Sequence, residues 1–264
     1  MSQDEADWEL YYWKGIGPGR GEFVRLVFIE AIRMSQDEAD WELFYWKGYG
    51  PGRGEFVRLV FIEAGVPFKQ MNDNEKNREL FKNKKLTGYP CFAVPMIKKG
   101  DFQLCQTPVI CKYLGKKFGL YPETEEDIWH AEQVNATVHD YIAEGRLAFH
   151  GIDHTASYFG QEEGTKPYIE RFIKTRLPSM METFEVTLKA NGGGNGFLFG
   201  SKLTYVDLGL LHILRATEAQ FPEAWAALDK PLLKAFKNRL EARPKLAAWF
   251  KSEECEPFSG NSMM

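Results

Sequence analysis

ELFYWKGYGPGRGEFVRLVFIEAGVPFKQM, residues 42–71, runs from a strand through a turn and a helix to a second strand. The aromatic run Glu42–Trp46 has strand character. Gly50, Gly52 and Gly54 make the next segment a turn, and GEFVRLVFIEA, residues 54–64, carries apolar residues at helical spacing. Gly65 is a natural helix stop, and Val66–Met71 reads as a strand. A strand, a helix and a second strand in that order are the seed of an α/β unit.

The first part of this unit is written twice. Residues 1–31 and 34–64 align without gaps and agree at 29 of 31 positions, the exceptions being Tyr11/Phe44 and Ile16/Tyr49. Solenoids need three or more repeats, and nothing similar follows Ala64, so this is a local duplication. One fold has one slot for its first strand and helix. The second copy joins the next strand through a short loop, whereas the first runs into Ile32 and Arg33 and starts over. Residues 1–33 are therefore expected outside the fold, with Tyr12 an idle duplicate of Tyr45.

Working outward, Phe92–Ile97 and Phe102–Cys105 flank Lys98-Lys99-Gly100-Asp101 as a strand hairpin, and Thr107–Phe118 follows as a helix ended by Gly119. Residues 42–119 thus spell β-α-β-(α)-β-β-α. After a polar linker at 121–127 the expected elements are helices, roughly 124–149, 167–190, 204–219, 231–241 and 243–252, with Asn191–Gly196 a flexible turn. The fold class is α/β plus all-α: one domain at 34–120 and an all-helical one at 128–264.

With 44% hydrophobic and 27% charged residues in 264, the composition is that of an ordinary globular protein, and the net charge of −4 gives no basic footprint for nucleic acid. No apolar run is long enough to span a bilayer, and the acidic start MSQDEAD is unlike a signal peptide, so a cytoplasmic location is expected. Cys91, Cys105, Cys111 and Cys255 have neither a disulfide-framework nor a CxxC spacing and read as free thiols; no metal site is expected.

Four motifs carry chemistry. Gly50-Pro-Gly-Arg-Gly54 lacks the residues of a P-loop and the spacing of a dinucleotide fold; it reads as a tight turn aiming a helix N-terminus at a ligand, with Arg53 placed to hold a carboxylate. Val94-Pro95 at a strand start is unusual because proline cannot donate to the ladder, and a cis peptide there would free the backbone of Val94 for a ligand. Thr107 as N-cap with Pro108 after it makes a helix start, and Gln106 beside it suits an amino-acid carboxylate. Leu203-Thr-Tyr-Val-Asp207 is a capping box, a structural feature.

Taken in this order, the residues resemble a cytosolic glutathione transferase of the tyrosine type (alpha, mu, pi and sigma), from about Glu42 to Phe258. Val94-Pro95, Gln106-Thr107, Lys112–Pro122, Lys202–Asp207 and Glu241–Phe250 carry the likeness. The resemblance implies a thioredoxin-like glutathione domain followed by a helical domain that shapes the second-substrate pocket. It implies glutathione as co-substrate with no further cofactor, a small apolar electrophile and a homodimer. Tyr45, followed by Trp46, matches the tyrosine that hydrogen-bonds the glutathione sulfur. Arg53 matches the arginine of the first helix, Val94 and Pro95 the backbone site for the cysteinyl part, and Gln106 and Thr107 the γ-glutamyl site. Asp140 matches the aspartate that reaches the neighbouring subunit; a solvent-facing carboxylate is the other reading of it.

Departures leave alternatives open. Tyr49, present only in the second copy, rivals Tyr45 for the sulfur. The group that meets the glycine carboxylate has no clear match; Lys84 and Lys85 stand nearby. Cys91 occupies the place of an aromatic that plugs the partner subunit in many relatives, with Phe92 adjacent. His150 falls near a tyrosine that assists the electrophile, or is a surface histidine. Beside conjugation stand a glutathione-dependent isomerase of the prostaglandin D synthase kind, a peroxidase, and a non-catalytic ligand-binding member of the fold.

Overall fold

The structure, a computed structural model, describes residues 41–82 and 88–260. The first copy, with Tyr12, and the lysines Lys84 and Lys85 lie outside the described residues.

The first domain is β1 (Trp41–Phe44), α1 (Gly52–Ala64), β2 (Phe68–Met71), α2 (Asn74–Lys82), β3 (Met96–Lys99), β4 (Phe102–Cys105) and α3 (Thr107–Lys117). Both β1 and α1 are built from the second copy. The sheet order is β2-β1-β3-β4. β1 runs parallel to β2, with Leu43 opposite Gln70, and antiparallel to β3, with Leu43 opposite Ile97. β3 and β4 form the hairpin, with Ile97 opposite Leu104.

The period of two along the strands separates two cores. Trp41 and Leu43 on β1 and Ile97 on β3 enter the large apolar core with Phe56 and Val57 of α1. Their neighbours Phe44 and Met96 point to the other face and pack with Phe81 of α2 and Cys91. Helix α1 is buried along nine residues because the sheet covers one side and the helical domain the other. It stops where the residues require: Gly65 takes φ +75, and its N–H and that of Val66 cap the carbonyls of Ile62 and Phe61.

The second domain is α4 (Glu125–Phe149), α5 (Glu162–Arg171), a single wider turn at Phe172–Arg176 leading into α6 (Leu177–Ala190), then α7 (Tyr205–Gln220), α8 (Pro222–Ala227), α9 (Pro231–Glu241) and α10 (Pro244–Phe250). Thr124 caps α4 by accepting from the Asp127 N–H at 3.1 Å, so the polar stretch before it already contains the first helical turn. At α7 the capping box is present, the Thr204 N–H donating to Asp207 Oδ2 at 2.7 Å.

Some expected boundaries move. The strand expected at Phe92–Ile97 begins at Met96, since Pro95 has no N–H for the ladder. The helix expected from Pro167 begins at Glu162, its first turn favoured by Glu162 and Glu163 at the positive end of the helix dipole. Helix α8 falls in a stretch with no expected element. The flexible turn after α6 is one tight 3₁₀ turn, Gly192–Gly194, in which a Cβ on Gly194 would lie 2.7 Å from Leu232.

Candidate functional site

Tyr45 leaves β1 with its backbone held on two sides. Its N–H donates to the Met71 carbonyl at 3.4 Å, and buried Asn77 of α2 donates from Nδ2 to both the Tyr45 and Met71 carbonyls at 2.9 Å. The loop that follows is clamped as well. Lys47 and Asn74 exchange two hydrogen bonds of 2.9 Å, while the Glu256 carboxylate accepts from the Gly48 N–H at 2.9 Å and the Gly50 N–H at 3.1 Å. Chain segments about two hundred residues apart therefore fix this turn.

The ring of Tyr45 lies across the start of α1. Its hydroxyl oxygen accepts from the Arg53 backbone N–H at 2.7 Å. A Cβ on Gly52 would sit 2.2 Å from that oxygen, and one on Gly54 2.6 Å from the ring, so both glycines are required by the close approach. The helix N-terminus, expected to face a ligand, faces Tyr45. Burial pushes the phenol above its ordinary value, against the opposing effects of the Arg58 guanidinium, 5.4 Å from the ring centroid, and the Arg53 N–H. The phenol is thus neutral at physiological pH. Since its oxygen already accepts the helix N–H, its proton is left to donate into the cavity beside it.

Arg58 is itself buried and fully engaged. It donates to Gln70 Oε1 at 2.8 Å and the Pro51 carbonyl at 3.0 Å and pairs with Glu55 at 3.2 Å, whose other oxygen accepts from Trp249 Nε1 at 2.7 Å. The floor under Tyr45 is therefore locked to the last helix of the chain.

A cavity of about 880 Å³ opens above it. The first domain contributes Tyr45, Trp46, Arg53, Val94, Pro95, Gln106 and Thr107 to its lining, seven residues singled out in the sequence and here brought to one place. The Val94-Pro95 peptide is cis. Gln106 takes φ +74, unusual for a residue with a side chain and of the kind found at functional sites. It, and not Thr107, is the N-cap of α3; Thr107 is the first helical residue and Pro108 the second. Tyr49 also lines the cavity but is 57% exposed, against 8% for Tyr45. Asp140 on α4 is exposed to solvent and does not line the cavity. Lys84, expected at the glycine carboxylate, lies outside the described residues.

Sequence reasoning missed Asn77, Arg78 of α2, Arg146 of α4 and the segment Thr155–Tyr158, the last three of which line the cavity. His150 lines it as well and is half-buried, its Nδ1 3.0 Å from the Ala156 carbonyl. Burial, against the hydrogen bond to the Ala156 carbonyl and with the charge of Arg146 added, holds His150 below its ordinary value. Arg146 precedes it by four residues and so shares its helix face, a spacing that was available in the sequence.

A thioredoxin-like sheet, a cis-proline, a tyrosine donor at a helix start and a helical second domain point one way. The model of the glutathione S-transferase N-terminal domain matches residues 42–116, and that of the C-terminal domain matches 151–253. Among curated proteins, glutathione S-transferase P 1 of Xenopus laevis is 34% identical over 161 residues, 61% of this chain and 68% of that protein. The chain belongs to the glutathione S-transferase family. The human glutathione S-transferase P is 32% identical over 170 residues, 64% of this chain and 74% of that protein. Of solved structures, the pi-class glutathione S-transferase of Onchocerca volvulus superposes with a TM-score of 0.68 at 22% identity, covering 84% of this chain and all of that one. The structure of prostaglandin synthase D of Nilaparvata lugens does so with 0.66 at 23%, covering 81% and 98%. At these identities the two structures bear on the fold alone. Within the transferase, no helix among the described residues is long and apolar enough to cross a membrane.

Proposed function

We propose that this transferase activates the thiol of glutathione through Tyr45 and transfers the thiolate to an electrophile. The observation that carries this reading is the Tyr45 hydroxyl, buried, neutral and oriented by the Arg53 N–H with its own proton free. A thiol of pKa near 8.5 is only a few per cent thiolate at neutral pH. An O–H donor at a helix N-terminus stabilises the anion, and lowering the thiol pKa by about two units, roughly 2.7 kcal/mol, makes the thiolate the major form. Tyr45 itself keeps its proton throughout. Gln106 and Thr107 at the start of α3 hold the γ-glutamyl end, Val94 offers backbone groups to the cysteinyl part, and Arg53 attracts a carboxylate. Trp46 forms part of the same wall. Burial of Tyr45 and exposure of Tyr49 support Tyr45 as the sulfur contact.

The exposed position of Asp140, away from this chain's cavity, supports its reaching the site of a second copy in a homodimer. The test of the mechanism is Tyr45→Phe. Turnover with chlorodinitrobenzene is expected to fall at least about tenfold, the loss of one charge-assisted hydrogen bond, with glutathione binding largely kept. The ultraviolet band of the bound thiolate should vanish with it. An unchanged rate would remove Tyr45 from the mechanism and promote Tyr49.

A further inference from the structure

The wall of the cavity supplied by the helical domain is not the apolar one expected for a hydrophobic electrophile. It presents Arg146 and His150 from the end of α4 and the segment Thr155–Tyr158 from the loop behind them. Arg146 is half-buried. Its only hydrogen bond among the described residues is from Nη2 to the His154 carbonyl at 3.1 Å, and none of the described carboxylates pairs with it. Arg53 of the first domain lines the same cavity, also without a carboxylate partner among the described residues, and the charge of Arg146 adds to burial in holding the Arg53 guanidinium below its ordinary value. Arg78 lines the cavity too, and among the described residues no Asp or Glu does. Three arginines lining one cavity with no carboxylate among its described lining residues are a site for anions.

Glutathione brings two carboxylates and a thiolate against one ammonium, and residues of the first domain stand where it would bind. Arg146 comes to the cavity from the helical domain. The loop beside it is prebuilt, since Asp153 accepts from the Thr155 N–H at 2.8 Å, and Gln161 Nε2 donates to the Asp153 and Ser157 carbonyls at 3.0 Å. Ala156 and the ring of Tyr158, packed edge-on against Phe149, give this wall an apolar portion next to the charge.

We propose that the second substrate is an electrophile with an apolar body and a carboxylate, and that Arg146 selects it. This rests on the transferase reading of the site. The chemistry that fits is addition to an α,β-unsaturated ketone bearing an acid group. The thiolate forms a C–S bond at the β carbon while the C=C π bond breaks and its electron pair passes to the carbonyl oxygen. The α carbon then takes a proton from water, replacing the proton that the thiol gave to solvent. Thiol and alkene are consumed in equal number and nothing is oxidised.

A matched pair of probes tests it: a benzylideneacetone with a para carboxylate, and its methyl ester. With each kcat/KM divided by the uncatalysed rate with glutathione, the protein as it stands should favour the acid by about tenfold, the worth of one charge-assisted hydrogen bond. Arg146→Gln should bring the ratio close to one, and Arg146→Lys should keep most of it. A ratio near one in the unmodified protein, or a ratio untouched by Arg146→Gln, overturns the proposal. Binding of the two glutathione conjugates, followed by quenching of tryptophan fluorescence with Trp46 in the cavity wall, reads the same preference without turnover, and equal affinities overturn it too. If neither ketone nor chlorodinitrobenzene is turned over, the transferase reading fails, while conjugate binding still decides the role of Arg146.

Discussion

Two histidines make the domain interface sensitive to acid. His139 of α4 and His212 of α7 both pack against Phe56 of α1, their ring centroids 4.7 and 4.6 Å from its own. Both are buried; among the described residues neither ring nitrogen of His139 has a hydrogen-bond partner, and those of His212 make no hydrogen bond of ordinary geometry, a backbone contact with Gly52 being all that favours its charged form. Burial holds each well below the ordinary histidine range, to about 3, aided by the charge of Arg53 at His139 and of Arg215 and Arg58 at His212. The unfolded chain binds protons at these positions from about pH 6.5 downward while the folded chain does not, so stability present above about 6.5 is lost as the pH falls toward 3. Each pH unit in that window takes about 1.4 kcal/mol per histidine, hence about 4 kcal/mol for the pair by pH 5. Asp207 works in the opposite direction. Burial raises its carboxyl to about 6, so acidification from 6 to 5 returns about 1 kcal/mol. The net loss is about 3 kcal/mol, a large share of the roughly 5–15 kcal/mol by which domains are stable, and lowers Tm by about 6–12 °C. Urea midpoints at about pH 7.5 and pH 5 measure it, with His139→Leu/His212→Leu as the comparison. The double variant should keep only the smaller loss from His150, which is also held below its ordinary value, offset by about 1 kcal/mol from Asp207. An equal loss of about 3 kcal/mol in the variant would place the acid sensitivity elsewhere and refute the assignment.

Gly52→Ala sets a Cβ 2.2 Å from the Tyr45 oxygen at φ +57 and should lower kcat/KM by more than about tenfold, with glutathione-independent folding retained; Gly48→Ala, at φ +82 with open space around its Cβ, carries only the backbone term of about 1–2 kcal/mol and should leave activity near normal. Comparable activity in both variants would show that the close packing on Gly52 does not matter. Glu55→Ala strands the buried Arg58 charge and the Trp249 N–H and should destabilise by about 3–5 kcal/mol in urea unfolding; a loss below about 1 kcal/mol would contradict the buried network. Deleting residues 1–33 should leave full specific activity, because β1 and α1 are supplied by residues 41–64. A fall in activity would tie the first copy to the working fold.

What was legible in the sequence was whatever adjacent residues decide among themselves. The aromatic run Glu42–Trp46 marks a strand, Gly65 marks a helix end, and Thr204 with Asp207 marks a helix start. The first-domain half of the cavity was legible for the same reason, since its residues sit at strand ends and helix starts whose types are locally constrained. Other features depend on pairs that no local rule joins. Glu55 meets Trp249, and Glu256 meets Gly48, only after the chain has folded. The Tyr45 hydroxyl and the Arg53 N–H are eight residues apart, yet their hydrogen bond needs the ring to lie flat over two glycines. Helix α8 begins at Pro222 and is too short for its periodicity to register.

Arg146 makes the limit plainest. On a long helix with charged residues along its exposed side, an arginine that faces water and one that faces a ligand are the same letter at the same spacing. Neither hydropathy nor helical period separates them, and the expectation of an apolar electrophile followed from resemblance alone. What separates them is the surroundings after folding: a half-buried guanidinium, a second arginine lining the same cavity, and no carboxylate among the described residues that line it. The absent counter-charge is a property of the assembled site. It is also the reason that the ligand, and not the protein, is the natural place to look for the missing anion.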